Sequence, residues 1–186
     1  MFFNPYSLLP LIISLIHLII GFFIFVKNQK SIINRTFALE CIAVSIWLFG
    51  YFIAYSCSEP KTALFWCKFA YFGVMFIPVF FYHFTVSFFD IRNKKFIILN
   101  YLITSIFVIL VIVTDKVVSG VYKFYWGYQA KAGFVNNLFL SYFVTMFIYC
   151  LLTLYLDLKG KRRITPIEYT KTRYVLVAYM IASLGI

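Results

Sequence analysis

Acidic side chains are scarce in this chain, with six Asp and Glu among 186 residues beside two histidines and four cysteines. So thin a supply of titratable groups leaves no paired catalytic carboxylates and no Ser/His/Asp or Cys/His nucleophile arrangement. No glycine-rich phosphate loop occurs either, and an autonomous enzyme is not expected. Cys41, Cys57, Cys67 and Cys150 lack the C-x-x-C spacing of thiolate metal sites, so neither a zinc site nor any other metal or cofactor is expected. Cys57 and Cys67 bracket one short connection. A disulfide between them in an oxidising compartment competes with the simpler reading of two buried small residues.

Charge of either sign is also sparse. Charged residues make up 12% of the chain and hydrophobic residues 63%, too little polar surface to cover a water-soluble globule, which makes lipid the expected solvent. What the chain has instead is long apolar runs: Ser7 to Val26, Thr36 to Ser56, Ala63 to Phe89, Phe96 to Thr114, Asn137 to Leu156, and Tyr174 onward. The first five are each about 20 residues or longer, and at roughly 1.5 Å per residue they span a hydrocarbon core of about 30 Å as helices. The first run is not a cleavable export signal, because its basic cluster follows the apolar stretch rather than preceding it.

Twelve of the seventeen Lys and Arg residues fall in three alternate connections. The first carries Lys27, Lys30 and Arg35, the third Arg92, Lys94 and Lys95, and the fifth Lys159, Lys161, Arg162, Arg163, Lys171 and Arg173. The second and fourth carry only Lys61, Lys116, Lys123 and Lys131. Positive charge is retained on the cytoplasmic side, which places the N-terminus outside. The net charge of +11 therefore reads as a topology signal and a contact with anionic lipid, and not as a nucleic-acid surface. The expected fold class is an all-α membrane protein, a polytopic helical bundle of five complete transmembrane helices plus a truncated sixth, filling residues 1–186 with no soluble catalytic domain.

Punctuation agrees with hydropathy. Thr165, Pro166 and Glu168 form a capping start for the sixth helix, and Gly160 is a stop for the fifth. Pro78 lies in the middle of the third and longest run, where it removes a backbone hydrogen bond and predicts a kink. Small residues at Gly50 and Ala54, Ala70 and Gly73, and Ala178 and Ala182 mark helix contact faces. No internal repeat or low-complexity linker is present. The one long connection, Asp115 to Asn136, is dense in Tyr122, Phe124, Tyr125, Trp126, Tyr128 and Phe134. Its alternatives are a ligand-contacting loop, with Trp126, Tyr125 and Tyr128 as candidates, or a re-entrant or surface-lying anchor in the headgroup layer.

Ionisable residues at bilayer depth are functional candidates, because each costs several kcal/mol unless paired, hydrated or snorkelling. Lys68, near the outer end of the third run, is expected to snorkel. Glu40, about one and a half turns inside the second run, is expected to pair with Arg92, Lys94 or Arg35, ahead of a role as proton carrier. His17 and His83 sit at depths differing by roughly 10 Å, so a shared metal site is not expected. Each reads as a hydrogen-bonded packing residue, with a pH-responsive role open for His83.

The stretches R-T-F-A-L-E-C-I-A-V-S-I-W-L-F-G-Y (Arg35 to Tyr51), F-W-C-K-F-A-Y-F-G-V-M-F-I-P-V-F-F-Y-H-F (Phe65 to Phe84) and K-T-R-Y-V-L-V-A-Y-M-I-A-S-L-G (Lys171 to Gly185), with Gly133 before the fifth run, resemble the N-terminal seven-helix sensor region of bacterial histidine kinases. The resemblance implies an outside N-terminus, seven helices in the bacterial cytoplasmic membrane, and a homodimer. It also implies a kinase, PAS or cyclase output module after the seventh helix. The chain stops at Ile186 inside the sixth run, so the expectation is a truncated sensor module without kinase chemistry of its own, with Pro78 as its bending point. The competing classes are a small transporter using Glu40, His17 and Lys68, and a membrane assembly subunit.

Overall fold

The computed structural model describes residues 4–90, 94–159, 170, 173–175 and 177. Five long helices carry the fold: α1 (Pro5–Lys27), α2 (Ile32–Tyr55), α3 (Pro60–Phe88), α4 (Lys94–Val113) and α5 (Asn136–Lys159). All five are long and apolar enough to cross a membrane. Between α4 and α5 lie two strands, β1 (Val118–Phe124) and β2 (Gly127–Ala132). Thr165, Pro166, Glu168, Gly160, Ala178 and Ala182, which carry the expected end of the fifth helix and the sixth helix with its contact face, lie outside the described residues, as does Arg92.

Helix starts follow local chemistry. Asn4 caps α1 by accepting from the Tyr6 amide at 3.1 Å, with Pro5 at the first helical position where no amide donor is needed. Ser31 caps α2 through the Asn34 amide, and Pro60 opens α3. The outward faces of α1 and α4 are lined by exposed Leu, Ile, Phe and Val, among them Leu9, Phe22, Leu102 and Val113, which is what a lipid-facing surface requires. The few buried residues of α1 are small: Ser7, Ser14 and Gly21.

Those small residues bring backbones together. A Cβ on Gly50 would stand 2.7 Å from the Ala70 Cβ, and one on Gly73 would meet the Trp47 amide at 2.7 Å, so α2 and α3 touch along nearly bare backbone. Gly21 does the same for α1, against the Cys41 Cβ at 2.8 Å. Ser14 and Ser45 exchange hydroxyl-to-carbonyl bonds of 3.0 Å in both directions across the α1–α2 seam. Helices in lipid gain little from apolar burial, so close contact and interhelical hydrogen bonds hold these pairs.

Two buried clusters stack along α3. The outer one, meaning the one toward the hairpin, gathers Tyr51 and Ala54 of α2, Cys67, Ala70 and Met75 of α3, Val111 of α4, Val117, Val118 and Phe139. The inner one gathers Phe81, Tyr82, Phe84 and Val86 of α3 with Met146, Cys150 and Leu154 of α5. Pro78 falls between them in sequence, inside α3. Across α4, the His83 Nδ1 lies 3.0 Å from the Tyr101 hydroxyl, and Tyr142 of α5 donates to Asn100 Oδ1 at 3.0 Å.

The all-helical expectation needs one correction. The Asp115 to Asn136 connection contains an antiparallel hairpin, with Phe124 opposite Gly127 and a register shift between Val118 and Gly120. Its strands alternate β-branched and aromatic residues, Val118, Val121, Tyr122, Phe124 and Tyr128, which suit a pleated, half-buried surface. The turn at Tyr125 and Trp126 carries no Asn-Gly signal, and Gly127 supplies the unusual backbone at φ 133°.

The seam predicts its own weak point. Gly50→Val places a side chain against the Ala70 backbone and should cost about 1–3 kcal/mol, lowering the thermal unfolding midpoint of the chain in lipid nanodiscs. Gly120→Ala, where a Cβ meets open space, should leave the midpoint unchanged.

Candidate functional site

The faces of α1, α2, α3 and α5 that look into the bundle leave a cavity of about 580 Å³, within the range that holds a small-molecule ligand. Its walls follow helical spacing. Glu40, Val44, Trp47 and Tyr51 lie at i, i+4, i+7 and i+11 on α2, and Tyr71, Val74, Pro78 and Phe81 lie at i, i+3, i+7 and i+10 on α3. Each set forms one stripe of its helix. His17 contributes from α1, and Phe139, Phe143 and Phe147 from α5. Gln129 of β2 closes the outer end.

Glu40 is the one carboxylate in the cavity wall among the described residues. Its buried Oε2 has no hydrogen-bond partner among the described residues. The expected pairing with a cytoplasmic base is not formed with either described candidate. Arg35 donates its Nε to the Gln29 carbonyl at 2.8 Å, in the connection below α2, and Lys94 is exposed at the start of α4. The ion pair among the described residues is Lys68 with Asp115, 2.8 Å apart, Lys68 also donating to the Thr114 carbonyl at 3.1 Å. Lys68 does extend outward from α3, but it ends on the foot of the hairpin, so its charge is partnered by protein and not by headgroups alone.

The hairpin is tied to the helices below it. Asn4 donates its side-chain amide to the Tyr55 carbonyl at 2.7 Å and to the Trp126 carbonyl at 2.9 Å, joining the start of α1, the end of α2 and the turn. Tyr55 donates its hydroxyl to Gln129 Oε1 at 3.1 Å. A Cβ on Gly127 would stand 2.8 Å from the Tyr55 Cβ, so the strand can lie against α2 only because that residue is glycine.

The sequence-level candidates divide into two groups. Glu40, His17 and Pro78 come together in the cavity wall. The hairpin aromatics do not join them. Tyr128 is buried, donating its hydroxyl to the Ser58 carbonyl at 3.3 Å; Trp126 stacks on Phe124 at 4.6 Å; and Tyr125 is exposed, with its ring edge against Trp126 and Tyr6. Tyr125 and Tyr128 line a second, shallower hollow of about 380 Å³ with Asn4 and Lys123. His83 sits apart on the α4 side with Tyr101, and His17 bonds the Ile13 carbonyl of its own helix at 2.8 Å. Cys57 and Cys67 are free and buried; Cys57 donates to the Ile53 carbonyl, and burial pushes its thiol above the usual range, disfavouring the thiolate that disulfide exchange needs. No group of three or more His, Cys, Asp or Glu among the described residues is placed to hold a metal ion. Sequence reasoning missed Trp47, Tyr51, Tyr71 and Gln129. The helical stripe running outward from Glu40 was the available signal for the first two.

The family model for the N-terminal 7TM region of histidine kinase matches residues 9–185. No curated protein and no solved structure matches the chain.

The Asn4 clamp gives a direct test. Asn4→Ala removes a helix cap and both bonds that tie the turn to α1 and α2, a loss of about 1–2 kcal/mol. Amide hydrogen exchange across Val118–Ala132 should quicken by about five- to thirtyfold, while exchange in the α2–α3 seam stays as it was.

Proposed function

The chain belongs to the family of N-terminal 7TM regions of histidine kinases, and from that membership we propose a membrane sensor module whose input is a ligand entering the cavity between α1, α2, α3 and α5. The observation that carries the reading is the cavity itself. It lies in the membrane-spanning part of a multi-pass protein, has a hairpin fastened over one end, and contains a carboxylate oxygen that no described residue satisfies. Sensor regions of this kind supply the input and leave phosphoryl transfer to an attached kinase. The distribution of Lys and Arg supports an outside N-terminus in the bacterial cytoplasmic membrane. In that orientation the hairpin is extracellular and the inner cluster of Phe81, Tyr82, Met146 and Leu154 faces the output side.

Signalling needs two packing states and a stimulus that favours one of them. The α2–α3 seam holds the outer half of α3. Below Pro78 the same helix packs on α5 through the inner cluster. Pro78, in the cavity wall and between the clusters, is the position where occupancy changes the bend of α3 and with it the α3–α5 contact. Such sensors act as homodimers in this reading, with the inner ends of the helices carrying the change to the kinase.

In a histidine kinase carrying this region, Pro78→Ala restores the missing backbone hydrogen bond and stiffens α3. A shift of about 1 kcal/mol in the two-state balance changes the ratio of states about fivefold. Basal autophosphorylation should move by a factor of that order at equal expression. Unchanged basal and stimulated phosphorylation would count against a hinge at this position.

A further inference from the structure

We infer that the ligand of this cavity is a small organic cation, an ammonium group on an apolar body, with Glu40 as its counter-ion. The inference rests on the cavity being the input site and adds the chemical class of what fills it.

With Glu40 ionised, the hydrogen-bonding groups at its level are acceptors. Glu40 and Pro78 lie roughly 12 and 15 Å from the inner ends of α2 and α3, and His17 about 15 Å from that of α1, so the three share one depth. The carboxylate has a buried oxygen with no donor among the described residues. His17 bonds a carbonyl through Nδ1; a carbonyl only accepts, so Nδ1 carries the proton, and in the neutral ring Nε2 is left with a lone pair. One turn outward, the Val74 carbonyl lacks the donor that an ordinary residue at position 78 would give it, because proline has no N–H. No Lys or Arg is among the described residues that line the cavity. A ligand bearing N–H donors and positive charge meets all of these groups, whereas a carboxylate or phosphate would face a like charge and more lone pairs.

The rest of the wall defines the body of the ligand. Trp47, Tyr51, Tyr71, Phe81 and Phe147 supply ring faces and edges, with Phe81 and Phe147 stacked at 5.1 Å, and aromatic faces attract organic cations. A bare metal ion is a poor match. One carboxylate and a few neutral atoms in an apolar wall fall short of the six to eight oxygens a calcium ion takes. The hydroxyl-to-amide bond between Tyr55 and Gln129 sits at the opposite, outer end, on the side where the hairpin covers the cavity.

The test is equilibrium dialysis of the full chain in lipid nanodiscs against radiolabelled 4-phenylbutylammonium and its uncharged counterpart pentylbenzene, with empty discs subtracting lipid partition. Wild-type protein should bind the amine saturably and at least about tenfold more tightly than pentylbenzene, since a charge-assisted bond is worth that ratio or more. Glu40→Gln should weaken amine binding at least about tenfold and leave pentylbenzene binding unchanged, the second result reporting that the variant is folded. If the variant loses both ligands, the wild-type preference for the amine decides alone. Equal wild-type affinity for the two compounds, or amine binding indifferent to Glu40→Gln in a variant that still binds pentylbenzene, overturns the cation assignment and leaves the cavity as an apolar input site. Saturable binding of neither compound overturns this assignment and counts against the sensor cavity with it.

Discussion

The close approach of α2 and α3 at Gly50, Ala70 and Gly73 is the constraint on which the other features rest. Nearly bare backbone on both sides lets the two helices pack along their outer halves. In lipid, where water does not force apolar faces together, such contact is what association depends on. Because the seam is made by the small residues, the large ones on the neighbouring stripes are turned elsewhere. Trp47, Tyr51, Tyr71 and Phe81 surround a space that the seam itself cannot fill. The cavity is therefore a consequence of how the seam is made.

The hairpin depends on the same seam. β1 and β2 rest on the outer ends of α2 and α3, held by Gly127 against Tyr55, by Asn4 across the turn, and by Lys68 at the foot through Asp115. Each of these anchors requires α2 and α3 to end at matched heights. On the inner side the attachment is different in kind. There α3 meets α5 through larger side chains, Phe81 on Phe147 and Met146 with Leu154, and meets α2 through Phe37 on Phe84, and the methionine contact repacks at lower cost than a glycine seam can slide. A molecule entering at the level of Glu40 and Pro78 lies between a stiff half and a compliant half.

Much of the architecture is written plainly in the sequence. Runs of about 20 apolar residues locate five helices within a few positions, because lipid thickness imposes a length that soluble folds do not. The small residues at 50, 54, 70 and 73 likewise mark the α2–α3 contact, since nothing larger fits there. The hairpin was not legible. Its turn, Tyr125 and Trp126, uses none of the usual turn residues, and an aromatic-rich stretch at a membrane surface reads equally well as an anchor. The cavity was half legible. Glu40, His17 and Pro78 stand out one by one as anomalies in lipid, but only the packing of α1 onto α2 through Gly21 and Ser14 brings them to one wall. Glu40 misses the two described candidates for a pair, Arg35 and Lys94, for a related reason. Proximity in sequence to Arg35 suggests a pair, but the arginine side chain turns to the Gln29 carbonyl while the carboxylate faces inward.

The claim that a stiff α2–α3 seam carries a compliant α5 can be measured with spin labels and a cavity filled by the protein itself. Val44→Trp puts a large side chain into the cavity from α2. Distances in nanodiscs from a nitroxide at Ile42 should lengthen to one at Ile148 on α5 and stay fixed to one at Phe69 on α3. A Val44→Trp protein whose Ile42 to Phe69 distance shifts as far as the Ile42 to Ile148 distance would show that the seam is not the fixed element of this fold.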